Sequence, residues 1–164
     1  NRHAPFYLIP EGGTNELAVC GCAEIVAEIS EPFDHITCAC GTGGTLAGLI
    51  AGCDGCGQVI GFSTLKGGEF LVAEVEKLLE NHYAANDETK QPPKNWHIRT
   101  EYHFGGYAKH TPALLDFMQR FEQKNGFLIE QVYTAKMFYG IEELMRQGYF
   151  RRGETVISLH TGGL

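Results

Sequence analysis

Two kinds of hydrophobic pattern alternate along the chain. Short apolar or alternating runs predict five strands, which are residues 8–10, 35–40, 59–65, 96–102 and 155–160. Between them, apolar residues recur at helical spacing and predict five helices, which include residues 18–29, 46–50, 71–79, 114–121 and 137–145. Strands that alternate with helices imply βαβ units. The sequence therefore predicts an α/β fold, with three α/β/α layers built on a mostly parallel sheet.

Polar and conformationally special residues mark the ends of these helices. Thr14 is predicted to cap the first helix, with Glu16 in its positively polarised first turn. Pro32 ends that helix, Gly126 stops the helix that contains residues 114–121, and the last helix stops near Gly148. Residues 86–95 are polar, contain two prolines and predict a surface loop.

Composition limits the classes of protein to which the chain can belong. Its 164 residues, 43% of them hydrophobic, suit one domain or most of one. The formal net charge of −7 disfavours nucleic-acid binding, because proteins that follow a phosphate backbone need a basic surface. No run approaches the roughly 20 apolar residues of a membrane-spanning helix, and no secretory signal is visible. We therefore expect a cytoplasmic protein without a membrane partner. The absence of an initial Met suggests a processed or partial chain.

Six cysteines fall in three close pairs, which are Cys20/Cys22, Cys38/Cys40 and Cys53/Cys56. The main expectation is that they are small buried apolar residues in a reducing compartment. The spacing of Cys53 and Cys56 also occurs in zinc knuckles, but a second pair with this spacing is missing, so no metal site is predicted. Disulfide or redox chemistry is the remaining alternative.

Several glycine-rich or polar segments follow predicted strands. In open parallel sheets, ligands bind beyond the carboxyl ends of the strands. Four segments occupy such positions, and they are residues 11–15, 41–45, 105–107 and 160–163. Together they predict one ligand site on one rim of the sheet.

The segment Gly41-Thr42-Gly43-Gly44-Thr45 joins a predicted strand to a helix. Free N–H groups at a helix start bind anions, and glycine lets anion oxygens approach the backbone closely. A phosphate is the expected anion, and a glycine-rich packing turn is the alternative. A nucleoside triphosphate loop would need a lysine here, and a dinucleotide fingerprint would need glycine where Leu46 stands. A single phosphate monoester fits better.

Five motifs occur in order, and they are IPEGGTN, CGTGGTLAGL, GGYAKHTPAL, VYTAKMFYGI and LHTGGL. Together they resemble the C-terminal part of the D-cysteine desulfhydrase and 1-aminocyclopropane-1-carboxylate deaminase family, whose members use pyridoxal 5'-phosphate and have the tryptophan synthase β-subunit-like fold. The resemblance covers essentially the whole chain. It implies that residues 1–164 are the C-terminal part of such an enzyme, mainly its cofactor-binding large domain and thus an incomplete fold. The family's habit implies a homodimer.

The resemblance implies cofactor contacts for seven residues, which are Thr42, Gly43, Gly44, Thr45, Thr134, Thr161 and Gly162. The first four match the loop that binds the cofactor phosphate, Thr134 matches the residue that faces the pyridine nitrogen, and the last two match a loop near the ring. Tyr107 and Tyr133 match substrate-side tyrosines that could donate hydrogen bonds or move protons. Packing is the alternative role for both tyrosines. Asn15 is a candidate for the substrate pocket.

The resemblance also implies a lyase or deaminase that acts on a small amino acid. In this family, ring-opening deaminases carry glutamate after the second tyrosine, and desulfhydrase-like members carry threonine. A carboxylate there strengthens electron withdrawal by pairing with a protonated ring nitrogen, whereas a hydroxyl suffices when a thiol leaves. Thr134 therefore favours β-elimination from D-cysteine, or from a similar β-substituted amino acid, over ring opening of 1-aminocyclopropane-1-carboxylate.

One expected part of such an enzyme has no counterpart here. The family's Schiff-base lysine precedes the phosphate loop, and none of the seven lysines stands in a matching context. We expect that lysine upstream of Asn1, and we expect the chain alone to be inactive. A non-catalytic phosphate- or cofactor-binding module is the second interpretation, and a nucleotide-binding oxidoreductase domain is the third.

Overall fold

The computed structural model describes residues 8–85 and 90–162. Within these ranges it contains four β-strands, which are β1 (His35–Cys40), β2 (Gln58–Ser63), β3 (Trp96–Arg99) and β4 (Val156–Ser158). The same ranges contain five α-helices, which are α1 (Glu16–Ala27), α2 (Gly44–Cys53), α3 (Leu71–Ala85), α4 (Pro112–Asn125) and α5 (Thr134–Arg146). Two single turns of 3-10 helix, Glu11–Gly13 and Gly68–Phe70, precede α1 and α3.

The four strands form one sheet in the order β3-β2-β1-β4. All three neighbouring pairs are parallel, with His35 of β1 opposite Gln58 of β2 and Val156 of β4. On the other side of β2, Phe62 lies opposite Arg99 of β3. Strands joined through helices into a parallel sheet confirm the predicted α/β class.

Helices cover both faces of the sheet. On one face, α1, α2 and α3 enclose the largest apolar cluster, to which β1 contributes Ile36 and Cys38. On the opposite face, Ile60 and Phe62 of β2 pack against α5, and α4 packs outside α5 through Phe117. Adjacent strand residues face opposite sides of a sheet, so β2 serves both clusters. The predicted three-layer arrangement is confirmed.

Two glycines let α1 and α2 approach each other closely. A Cβ added at Gly48 of α2 would lie 2.2 Å from the Cβ of Cys22. One turn later, a Cβ at Gly52 would lie 2.2 Å from the carbonyl oxygen of Ala23. Because residues four apart share a helix face, these glycines form a flat contact surface that holds α2 against α1.

The structure corrects several predicted boundaries. Residues 8–10 form no strand, and the predicted strand 96–102 ends at Arg99. Its neighbour β2 ends at Ser63, one residue past the Phe62–Arg99 pair, so residues 100–102 have no strand to pair with. The first helix ends at Ala27, before Pro32. Residues 90–95 of the predicted loop have no helix or strand, and residues 86–89 lie outside the described ranges.

All six cysteines are free thiols. Cys38, Cys40 and Cys53 are buried, which confirms the main expectation for them, whereas Cys56 is exposed. Among residues 8–85 and 90–162, no group of three or more His, Cys, Asp or Glu side chains could hold a metal ion. No helix in those same ranges is long and apolar enough to cross a membrane.

Candidate active site

The glycine loop, residues 41–45, connects β1 to the start of α2. Gly43 is the N-cap of α2 and has φ of 89°, a left-handed conformation that favours glycine. Among residues 8–85 and 90–162 no side chain caps this helix, and the first N–H groups of a helix have no acceptor within it. A cavity of about 40 Å³ lies against this backbone and is lined by residues 39–46. The loop therefore offers N–H donors and the positive end of a helix dipole to an anion.

Thr14 supports this loop from the preceding segment. The hydroxyl oxygens of Thr14 and Thr42 are 2.5 Å apart and share a hydrogen bond. The prediction that Thr14 caps α1 is therefore wrong, since Asn15 is the cap and its Oδ1 accepts a hydrogen bond from the Ala18 N–H. A Cβ at Gly12 would lie 2.6 Å from the Thr42 hydroxyl oxygen, so this turn needs glycine for close approach.

Beside the glycine loop lies a second cavity of about 440 Å³. It brings together residues that are far apart in the chain and lie beyond the carboxyl ends of β1 and β4. Its lining residues from the predicted site are Thr42, Thr45, Tyr107, Tyr133, Thr161 and Gly162. Gly43 and Gly44 line the smaller cavity next to it, together with Thr42 and Thr45. Residues from all four predicted segments therefore line one cavity.

The two predicted tyrosines are in direct contact. The ring centroids of Tyr107 and Tyr133 are 5.9 Å apart, and the rings meet edge to face at 69°. Burial, and next a hydrogen bond with Tyr107, raises the pKa of Tyr133 to about 12. Tyr133 therefore keeps its proton at neutral pH and can donate a hydrogen bond. A Cβ at Gly41 would lie 3.1 Å from the Tyr133 ring, so the loop and the tyrosine fit tightly together.

Thr134, the first residue of α5, is fully buried. Its hydroxyl oxygen accepts a hydrogen bond from the Glu130 N–H at 2.9 Å. The Glu130 carboxylate in turn accepts from the N–H groups of Val132, Tyr133 and Thr134 at 2.5–2.6 Å. Glu130 also lines the large cavity, so it places a negative charge there and at the positive end of α5. Contact between Thr134 and a cofactor stays a prediction.

Lys136 anchors the turn that carries Tyr107. Its side chain is fully buried, and its Nζ donates to the carbonyl of Gly106 at 2.8 Å and to that of Thr64 at 3.5 Å. Burial lowers the pKa of Lys136. These bonds tie the segment before Tyr107 to the end of β2, so Lys136 shapes one wall of the site.

The remaining predicted residues lie at the margins. The Asn15 side chain is engaged in capping α1 and faces a separate cavity beside Leu78 and Asn81. Its role in a substrate pocket stays a prediction. The Gly162 N–H donates to Nδ1 of His160 at 3.1 Å, and Nε2 of that ring lies 3.1 Å from the Leu128 carbonyl oxygen. His160 therefore fixes the loop of Thr161 and Gly162.

Sequence reasoning missed Glu130 and Lys136. Glu130 stands four residues before the first residue of α5, where an acidic side chain can satisfy free N–H groups. The sequence could have indicated this role. Tyr133 occupies the cap position of α5 and is not a capping residue type, so a nearby acidic side chain is needed to accept from the free N–H groups. Lys136 gives no such signal, because its partners lie 30 and 72 positions away along the chain.

A small molecule that carries one phosphate fits this arrangement. The small cavity at the glycine loop has the N–H donors that a phosphate needs. The adjoining 440 Å³ cavity has the size of a small-molecule site. The parallel sheet, the glycine loop at a helix start and the tyrosine-lined cavity together have the features of a cofactor-binding α/β protein.

The chain belongs to the family of pyridoxal-phosphate dependent enzymes, which it matches over residues 2–162. Members of this family depend on pyridoxal phosphate. Within the family, its homologues carry the names of 1-aminocyclopropane-1-carboxylate deaminases and D-cysteine desulfhydrases. The suspected family is therefore confirmed.

Three relatives illustrate the match. A Pyrococcus furiosus protein, provisionally named a 1-aminocyclopropane-1-carboxylate deaminase, is 34% identical over 96% of this chain and 50% of its own length. The mitochondrial bifunctional D-cysteine desulfhydrase/1-aminocyclopropane-1-carboxylate deaminase of Arabidopsis thaliana is 31% identical over 96% of this chain and 41% of its own length. The D-cysteine desulfhydrase of Serratia proteamaculans is 27% identical over 96% of this chain and 50% of its own length. The chain spans about half the length of the curated relatives it matches.

Solved structures confirm the fold. The crystal structure of a 1-aminocyclopropane-1-carboxylate deaminase homologue superposes with a TM-score of 0.84 at 29% identity, covering 96% of this chain and 49% of its own. A fungal L-serine ammonia-lyase from Rhizomucor miehei superposes with a TM-score of 0.56 at 17% identity, and the match covers 92% of this chain and 53% of that protein's chain. The second likeness concerns the fold alone. Both support the predicted tryptophan synthase β-subunit-like architecture.

Proposed function

We propose that the full-length protein is a pyridoxal-phosphate dependent lyase that acts on a small amino acid, and that it desulfhydrates D-cysteine in preference to opening the ring of 1-aminocyclopropane-1-carboxylate. One observation carries this proposal. Six residues assigned by resemblance meet in a single cavity beside the glycine loop, and they are Thr42, Thr45, Tyr107, Tyr133, Thr161 and Gly162. The names of the relatives support the same two substrates.

Some residues of this chain would bind the cofactor, and others would donate or accept protons. When bound, pyridoxal phosphate draws electrons away from Cα of a substrate amine. The N–H groups of Thr42, Gly44 and Thr45 would hold its phosphate at the start of α2. Tyr133 keeps its proton at neutral pH, and so it can donate that proton to a departing group in the cavity. Tyr107, in edge-to-face contact, orients the Tyr133 ring.

The preference for D-cysteine depends on Thr134. Its side chain is a neutral hydroxyl, and this hydroxyl already accepts a hydrogen bond from the Glu130 backbone. The Glu130 carboxylate is itself occupied by three N–H groups. Neither group supplies a carboxylate free to pair with a protonated ring nitrogen, and a weaker electron sink suits elimination of a good leaving group. The products would be pyruvate, ammonia and sulfide.

The substrate assignment is tested by turnover of both amino acids. The full-length protein should release pyruvate from D-cysteine faster than it releases 2-oxobutyrate from 1-aminocyclopropane-1-carboxylate. Thr134→Ser keeps the hydroxyl and should retain the preference, whereas Thr134→Val removes it and should lower D-cysteine turnover. Circular dichroism would check that both variants fold. Faster ring opening by the parent protein would contradict the proposal.

Cofactor binding is tested at the glycine loop. Thr45→Val should weaken pyridoxal phosphate binding by about 1.5–3 kcal/mol, the value of one hydrogen bond to a charged group, or roughly tenfold to a hundredfold in Kd. Thr155→Val makes the same change at an exposed threonine just before β4, at the opposite end of the sheet. In a spectroscopic titration with pyridoxal phosphate, the Thr155→Val control should bind the cofactor with parental affinity. Equal affinities of the two variants would contradict the phosphate assignment.

The same two assays separate the alternatives. A non-catalytic cofactor-binding module would bind pyridoxal phosphate and turn over neither amino acid. A nucleotide-binding oxidoreductase domain would instead bind a nicotinamide dinucleotide. We also propose a homodimer and a cytoplasmic location, which light scattering and cell fractionation would test, since the name of the Arabidopsis relative places that protein in mitochondria.

A further inference from the structure

Cys53 and Cys56 form a thiol pair at the end of α2 that is opposite the glycine loop. Cys53 is the last residue of α2, and the two residues that follow, Asp54 and Gly55, have φ of 45° and 86°. The Cys56 N–H donates to the Cys53 carbonyl oxygen at 2.7 Å, which closes a tight turn. The turn directs both side chains to the same place, with a sulfur–sulfur distance of 2.8 Å.

The two thiols differ in access. The Cys53 residue is 2% exposed, whereas Cys56 lies on the surface. Burial, and next the hydrogen bond with Cys56, raises the pKa of Cys53 to about 12. Cys53 therefore keeps its proton at neutral pH and is a poor first nucleophile. An attack that begins in solvent must begin at Cys56.

The other four cysteines lack this arrangement. Cys38 and Cys40 are buried in the middle of the sheet, and burial raises the pKa of both thiols. Cys20 and Cys22 are half-buried on α1, and Cys20 lies 3.6 Å from a ring nitrogen of His82. The pair at the end of α2 alone combines an exposed thiol with a second sulfur in contact, among the six cysteines of this chain.

We propose that Cys53 and Cys56 form a reversible redox site that exchanges with low-molecular-weight disulfides such as glutathione disulfide. The Cys56 thiolate attacks one sulfur of the small disulfide, whose S–S bond breaks, and the released thiolate takes the proton that Cys56 gave up. Cys53 then attacks the Cys56 sulfur, and its proton goes to the second departing thiolate. The protein dithiol is oxidised by two electrons, and the small disulfide is reduced to two thiols.

Digestion at aspartate residues tests this assignment directly. Asp54 stands between the two cysteines, so cleavage before aspartate separates residues 34–53 from residues 54–86, and Cys56 is the only cysteine of the second peptide. After treatment of the folded full-length protein with glutathione disulfide, blocking of free thiols and denaturation, mass spectrometry should find the two peptides linked. Dithiothreitol should separate them again.

Single variants identify the partner of Cys56. Cys53→Ser should abolish the link and trap a glutathione adduct on Cys56. Cys56→Ser should give neither a link nor an adduct at position 56, and Cys20→Ser should form the link as the parent protein does. A link that survives Cys53→Ser would mean that Cys38 or Cys40 is the partner and would overturn the proposal. A stable glutathione adduct on Cys56 in the parent protein, or no reaction at all, would overturn it equally.

Discussion

The contact between α1 and α2 makes a prediction in which the same substitution has opposite effects at two glycines. At Gly48, a new Cβ would lie 2.2 Å from the Cys22 Cβ and 2.8 Å from the Val19 carbonyl oxygen. At Gly21, in the exposed part of α1, no atom of the described residues outside the local backbone of α1 lies within 4 Å of the new Cβ. Alanine is the better helix former at both positions, by about 1 kcal/mol.

The magnitudes follow from these distances. Overpacking costs about 1–3 kcal/mol, and Gly48→Ala belongs at the upper end because one of the crowded atoms is backbone of α1 and cannot rotate away. After the gain in helix propensity, the net loss is about 2 kcal/mol. Gly21→Ala should gain about 0.5–1 kcal/mol, since it meets open space.

Urea unfolding of the full-length protein, followed by circular dichroism, measures both effects. Gly48→Ala should lower the unfolding midpoint and Gly21→Ala should raise it slightly, with the slope unchanged. Because α2 begins at the glycine loop, Gly48→Ala should also weaken pyridoxal phosphate binding, which Gly21→Ala should leave unaltered. Equal midpoints for the two variants would refute the close packing of α1 on α2.

Three further predictions concern single side chains. Tyr133→Phe should lower kcat for D-cysteine by about a hundredfold or more and leave cofactor affinity unchanged, and steady-state kinetics with parental kcat would remove Tyr133 from the proton path. Burial lowers the pKa of His97 below 6.5, so stability should fall as the pH decreases from 6.5 towards that lowered value, because the unfolded state takes up the proton first. His97→Gln should flatten this dependence in urea unfolding. Borohydride reduction with pyridoxal phosphate and peptide mapping should leave Lys136 unmodified, since it is fully buried and bonded to two carbonyls, and stoichiometric labelling there would contradict its structural role.

Local sequence signals were sufficient where neighbouring residues determine the structure. Residues 35–40 form a strand with the predicted bounds because the run is short and mostly buried between two neighbouring strands and the helices on both faces. Gly126 ends α4 as predicted, with φ of 78°. The glycine loop between a strand and a helix was predictable for the same reason, since its conformation and its free N–H groups depend on neighbouring residues.

Sequence signals failed where a distant partner decides. Thr14 has the right chemistry for a helix cap, but Thr42, 28 positions away, takes its hydroxyl instead. Residues 96–102 alternate like a strand throughout, yet β3 ends at Arg99. Arg99 pairs with Phe62, and β2 ends at the next residue, Ser63, so β3 has no neighbour with which to continue. Tyr102 continues the pattern because its ring packs on Phe62 from a turn. Alternating apolar residues indicate that every second side chain packs inward, and a side chain can pack inward from a turn as well as from a strand.

The place of β4 in the sheet has a consequence for biosynthesis. β1 lies between β2 and β4, and Ser158 of β4 pairs with a residue 121 positions earlier. At about 5–20 residues per second, a ribosome needs roughly 6–24 s to supply that neighbour. During this interval, one side of β1 has unpaired backbone donors and acceptors at residues 35–37, where β4 will pair. The nascent chain therefore presents its central strand to other strands before its own partner exists, and we expect holdase chaperones to raise its yield.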